Sequence, residues 1–184
     1  NVYGGGLGTS ITNAKVTQQG AEKENIYGGG HGGTGNGGTT TNATVNINNS
    51  KAVNVYGGSN GRGITKNATI NIRGTSLITG KLYGGGYGTE TGKADDAGST
   101  TINISGGTIN NEIYGGSLNS KVYGTTNINI GVEAVTDSSP VAGSINIRGN
   151  IYGGGTATTA DYSYTEVYGN THITLDNSTQ SSIT

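Results

Sequence analysis

Short runs of strict alternation recur along this 184-residue chain. Thr44-Val45-Asn46-Ile47, Thr69-Ile70-Asn71-Ile72, Thr101-Ile102-Asn103-Ile104, Asn127-Ile128-Asn129-Ile130 and His172-Ile173-Thr174-Leu175 share one apolar/polar pattern. Successive strand residues point to opposite faces. Each run therefore predicts a half-buried strand, with aliphatic side chains on one face and Thr or Asn on the other. Lys15-Val16-Thr17-Gln18 fits the pattern less well. Helical periodicity is absent, and Gly clusters separate the candidate strands.

A second unit alternates with the first. Val2-Tyr3-Gly4-Gly5, Ile26-Tyr27-Gly28-Gly29, Val55-Tyr56-Gly57-Gly58, Leu82-Tyr83-Gly84-Gly85, Ile113-Tyr114-Gly115-Gly116 and Ile151-Tyr152-Gly153-Gly154 form a tandem anchor. Successive anchor Tyr residues lie 24, 29, 27, 31 and 38 positions apart. From Val16, Val45, Ile70 and Ile102 to the next anchor Tyr takes 11, 11, 13 and 12 residues, whereas from Ile128 it takes 24. The difference predicts an insertion at about 131–144. The remaining length variation falls in Gly/Thr/Asn-rich stretches after each anchor.

One such repeat cannot bury its apolar face alone, but stacked copies share a continuous core. The expected fold is all-β: a parallel β-solenoid of about six irregular coils with Gly-rich corners, forming a single array over residues 1–184. Blades of a propeller would need about four strands in roughly 40 residues. Stacking in register would give two aliphatic ladders, Val45/Ile70/Ile102/Ile128/Ile173 and Ile47/Ile72/Ile104/Ile130/Leu175. It would also give an outward ladder of Asn46, Asn71, Asn103 and Asn129 and a stack of Tyr3, Tyr27, Tyr56, Tyr83, Tyr114 and Tyr152. The chain starts inside an anchor, so a longer parent chain is expected.

Composition narrows the function classes. Gly is 37 of 184 residues, charged residues are 11%, and Cys, Met, Trp and Phe are absent. The frequent β-branched residues and Tyr argue against disorder. A net charge of −1 offers no basic patch for nucleic acid. No apolar run is long enough for a membrane span, and without Cys there is neither a disulfide framework nor a thiolate metal site.

The tandem [VIL]-Tyr-Gly-Gly-[GS] anchors with Thr-x-[IV]-Asn-Ile strands resemble the repeat regions of very large bacterial surface proteins, the adhesin-like and autotransporter-like β-solenoids. The resemblance extends from Val2 to about Leu175. It implies an extracellular, cell-surface stalk, adhesin or filament component, with self-association or neighbouring repeats as its partners. No catalytic residues come with it.

The candidate chemistry is sparse. Asp95-Asp96 is the one adjacent acidic pair, and in a Gly/Ala loop without a nearby basic partner it reads as solvated. His31 and His172 are not spaced as metal ligands. Gly84-Gly85-Gly86-Tyr87-Gly88 lacks the Asp of a calcium nonapeptide, and Gly80-Lys81-Leu82 lacks the Ser or Thr of a phosphate loop. No enzyme, metal or cofactor is expected. Asn42-Ala43-Thr44 and Asn67-Ala68-Thr69 match a glycosylation sequon, as chance allows in an Asn/Thr-rich chain. An exposed Tyr ladder would offer a glycan- or host-binding surface, which makes a carbohydrate-binding adhesin the alternative reading. Ice binding on the Thr face is a weaker one, because Asn127 and His172 interrupt that column.

Overall fold

A computed structural model describes residues 1–32, 37–131, 143–159, 164–176 and 181–183. The chain is an all-β parallel β-solenoid, with strands numbered β1 to β16 from the N-terminus. One sheet stacks β2 (Ile11–Gln18), β4 (Thr39–Asn48), β6 (Ile64–Arg73), β9 (Ser99–Ile104), β12 (Thr126–Ile130) and β15 (Thr171–Leu175) in sequence order. The alternating runs build this sheet. Val16, Val45, Ile70, Ile102, Ile128 and Ile173 pair in register, as do Gln18, Ile47, Ile72, Ile104, Ile130 and Leu175. Both aliphatic ladders form as their spacing predicts. Even the poorly matching Lys15–Gln18 run takes its place at the edge.

The anchors build the second, ten-stranded sheet. β1 (Val2–Tyr3), β3 (Lys23–Tyr27), β5 (Lys51–Tyr56), β8 (Leu82–Tyr83), β11 (Ile113–Tyr114) and β14 (Ile151–Tyr152) pair Tyr to Tyr. Alongside them run β7 (Leu77–Ile78), β10 (Gly107–Ile109), β13 (Ile145–Ile147) and β16 (Ser181–Ile183). β5 supports both β7 and β8: Lys51 pairs Leu77 at an offset of 26, and Val55 pairs Leu82 at 27. One extra residue therefore splits each later strand in two.

The core lies between the sheets. Ile26, Val55, Leu82 and Ile113, with Ala52, Ile78, Ile109 and Ile147, face the Val and Ile ladders of the other sheet in one buried cluster. Each such side chain contributes about 1.5–3 kcal/mol on burial. Thr100 and Thr126 continue the inner column of Ala14, Ala43 and Ala68. Their hydroxyls donate to the Gly115 and Gly153 carbonyls at 2.5 and 2.6 Å, so neither of these two hydroxyls is left unpaired.

Length differences fall at corners and leave the columns undisturbed. The Thr65–Thr91 bridge has an offset of 26, whereas Ile70 pairs Ile102 at 32. The added residues form the turn 92–98, closed by reciprocal Lys93 and Asp96 backbone hydrogen bonds. The Leu118–Thr156 bridge has an offset of 38 and Val122–Val167 of 45, so seven residues are added before Val167. Between Ile104/Ile130 and Thr108/Asn146 the offset rises from 26 to 38. The insertion expected at about 131–144 lies mostly outside the described residues.

The first Gly of each anchor is set by close approach. A Cβ on Gly28, Gly57 or Gly84 would stand below 3.0 Å from the carbonyl oxygen of Gly57, Gly84 or Gly115 in the next coil. At the following corner Gly61 and Gly88 have φ of 74° and 60°, and Asn119 takes the same turn at 56°. Asn is the residue other than Gly that enters this region most readily.

Gly57→Ala is expected to lower the thermal unfolding midpoint by about 2–12 °C, the order of a 1–3 kcal/mol steric cost. Gly154→Ala, where nothing lies within 4 Å of the added methyl, should leave it nearly unchanged. Circular dichroism melts of the two variants test this.

Candidate functional site

The six anchor tyrosines form one continuous stack. Ring centroids from Tyr3 to Tyr152 are 5.0, 4.7, 4.9, 5.3 and 5.1 Å apart, and planes deviate by 6–12°. The spacing follows the interstrand repeat of about 4.8 Å. It exceeds the contact thickness of a ring, about 3.5 Å, so the rings are slipped into the offset geometry that aromatic pairs prefer.

Most of this stack is covered. Tyr27, Tyr56, Tyr83 and Tyr114 are buried, Tyr83 to 3% exposure; Tyr3 is half-buried, and Tyr152 alone of the six is exposed. They form a second apolar cluster with Leu118. The residue four positions after each anchor Tyr makes a bridged column, Leu7, His31, Asn60, Tyr87, Leu118 and Thr156. From this column the His31 ring lies 5.2 Å from Tyr3, the Tyr87 ring 6.0 Å from Tyr56, and Asn60 Nδ2 donates to Tyr3 Oη at 3.2 Å. The inner rings thus present their faces to one another.

Burial pushes the phenols of Tyr27, Tyr56 and Tyr83 well above the ordinary tyrosine range, with neighbouring phenols adding to the effect.

The Asn column forms a hydrogen-bonded ladder. Asn71 Nδ2 donates to Asn46 Oδ1 at 2.8 Å, Asn103 to Asn71 at 2.9 Å and Asn129 to Asn103 at 2.9 Å. Alternation turns these side chains away from the aliphatic columns, yet Asn46 and Asn71 are buried. Two further ladders were not anticipated. Asn42 donates to Asn13 and Asn67 to Asn42 at 3.0 and 3.1 Å, and Asn25 donates to Asn1 and Asn54 to Asn25 at 2.9 and 3.0 Å. The repeated Asn-Ala dipeptide at 13, 42 and 67 carried the signal for the first. It also explains the sequon matches as structural.

Three ion pairs join neighbouring coils. Asp96 has a basic partner after all: Lys66 Nζ forms an ion pair with its carboxylate, because turn 92–98 folds back over the preceding coil. Lys81 pairs Glu112 and Lys121 pairs Glu166, both at 3.1 Å. Hydrogen bonding and charge from Lys81 hold the Glu112 carboxyl below its usual range. A second Tyr stack, Tyr123 on Tyr168 at 5.0 Å and 3°, borders the Lys121 pair. It arises from Val122-Tyr123-Gly124 and Val167-Tyr168-Gly169, two anchor-like tripeptides lacking the second Gly.

His31 and His172 belong to different columns: His31 is bridged to Leu7 and Asn60, and His172 pairs Asn127. Among the described residues no three His, Asp or Glu side chains converge as a metal site would require, and no helix is long and apolar enough to cross a membrane. The geometry defines the class, a parallel β-solenoid with stacked polar and aromatic ladders. No protein family, curated protein or solved structure matches the chain.

Two outcomes follow. The raised phenol pKa values mean that the folded state holds its protons more tightly than the unfolded chain does. This stability is fully present below about pH 10, the unfolded tyrosine value, and is lost as pH rises above it. Phenolate absorbance and far-ultraviolet dichroism should change together in an alkaline titration for the buried fraction of tyrosines. Separately, Asn71→Ala should cost about 2 kcal/mol in denaturant unfolding, since it removes one buried and one part-buried hydrogen bond, and exposed Asn42→Ala less than about 1 kcal/mol.

Proposed function

We propose that this chain is a non-enzymatic, extracellular structural segment, a stalk or filament-forming part of a bacterial cell-surface protein, built of about six irregular coils. The observation that carries the reading is that both aliphatic columns and the anchor Tyr stack run on to the last strand of their sheets. The edge strand β15 leaves Ile173 and Leu175 at 44% and 57% exposure, and Tyr152 stands at 44%, whereas their counterparts one coil earlier are buried. These edge side chains are of the kind that a further coil covers. Unpaired strand edges are themselves templates for pairing, and stability in such arrays grows with each neighbour interface.

The register dictates a direct test. Ile78-Thr79-Gly80-Lys81-Leu82-Tyr83 and Ile147-Arg148-Gly149-Asn150-Ile151-Tyr152 lead from one sheet segment into an anchor. Ile183 pairs Ile147. A tandem fusion with a single Gly between Thr184 and the next copy's Asn1 therefore keeps this spacing.

The fusion should behave as one rod of unchanged cross-section, extended by ~29 Å for about six coils at the interstrand repeat. It should also melt several degrees above the single copy. Small-angle scattering and thermal melts measure both. Two independently tumbling units with an unchanged melting point would refute stacking.

A further inference from the structure

A groove of about 410 Å³ crosses four successive coils on the flank of the solenoid. Arg62, Glu90, Asn119, Ser120, Lys121 and Tyr164 line it. Tyr164 is 60% exposed and sits on the seven-residue insertion before Val167. The charged wall is held in place from behind. Tyr123 Oη donates to Glu90 Oε1 at 3.2 Å, Lys121 Nζ donates to Tyr168 Oη at 3.0 Å, and Tyr168 Oη donates to Glu166 Oε2 at 2.7 Å. Lys121 also pairs Glu166 and lies 5.4 Å from the Tyr168 ring centroid. The Tyr123–Tyr168 stack thus orients one acid and one base of the groove before any ligand arrives, which reduces the ordering cost of binding.

The chemistry of the lining selects a ligand class. Glu90 in the lining, and Glu166 paired to Lys121 beside it, offset Arg62 and Lys121, so neither a polyanion nor a polycation finds a uniform field. Carboxylate, amide, hydroxyl and ammonium groups side by side match a molecule that both donates and accepts at many hydroxyls. A freely exposed aromatic face among them suits the apolar C–H face of a sugar ring. We propose that this groove binds a neutral oligosaccharide, laid across the coils with one ring on Tyr164. The glycan-binding alternative is thereby moved from the buried anchor stack to tyrosines outside it. The groove lies on the flank rather than at the coil edges, so its test is independent of whether tandem copies stack.

The probes are immobilised neutral oligomers of glucose, galactose and N-acetylglucosamine, with heparin as the anionic control, each at low and high salt. At least one neutral oligomer should bind the full chain, with little salt dependence. Tyr164→Ala and Glu90→Gln should each weaken it about tenfold, as truncation of a central binding contact does, while thermal melts stay within error of the parent. Lys51→Ala, on β5, should bind normally. The proposal is overturned if no neutral oligomer binds, if neither groove substitution alters binding, or if heparin alone binds and high salt abolishes it.

Discussion

Neighbouring strands in a parallel sheet come no closer than one backbone hydrogen bond allows, about 4.8 Å, and every feature of this chain is fitted to that distance. At the first anchor Gly the approach leaves no room for a side chain, and the column is Gly throughout. Tyr rings are thinner than the repeat and slip until their centroids match it. Asn amides span it with single hydrogen bonds of 2.8–3.1 Å. Aliphatic ladders fill it by volume, leaving Ile70, Ile72, Ile102 and Ile104 without exposure. A low-charge, Gly-rich sequence thus builds a close-packed interior without Phe, Trp, Met or disulfides.

The columns were legible because each repeat states them again. Val45, Ile70, Ile102 and Ile128 fall at one phase of a two-residue alternation, and register leaves them nowhere else to go. What the repeat did not state is which face of an anchor is covered. Val55 and Tyr56 point to opposite sides, and it is a residue of variable type, four positions later, that overlies the rings. His31, Tyr87 and Leu118 share no alphabet, so a motif search passes over them. The Lys66–Asp96 pair was hidden for a different reason. It joins residues 30 apart through a turn that one coil possesses and its neighbours lack.

Regularity and variation are divided in space. Strands carry the invariant spacing, and corners absorb turn 92–98 and the seven residues added before Val167 with no shift in the ladders beyond. A rigid scaffold that tolerates corner insertions is a general means of placing interaction chemistry without disturbing a core. Tyr164, Glu90 and Lys121 meet at such a corner, while Tyr27, Tyr56, Tyr83 and Tyr114 serve the interior.

The Asn ladders also give the rod an electrical direction. In all seven described Asn–Asn hydrogen bonds the later coil donates and the earlier coil accepts. Side-chain amides aligned head to tail add their dipoles, as peptide groups do along a helix. Each ladder begins at an amide N–H and ends at a carbonyl oxygen, which in the two shorter ladders accepts from the next coil, Asn54 Oδ1 from the Lys81 N–H and Asn67 Oδ1 from Ser99 Oγ. The direction of the array is thus written into side chains that are themselves neutral.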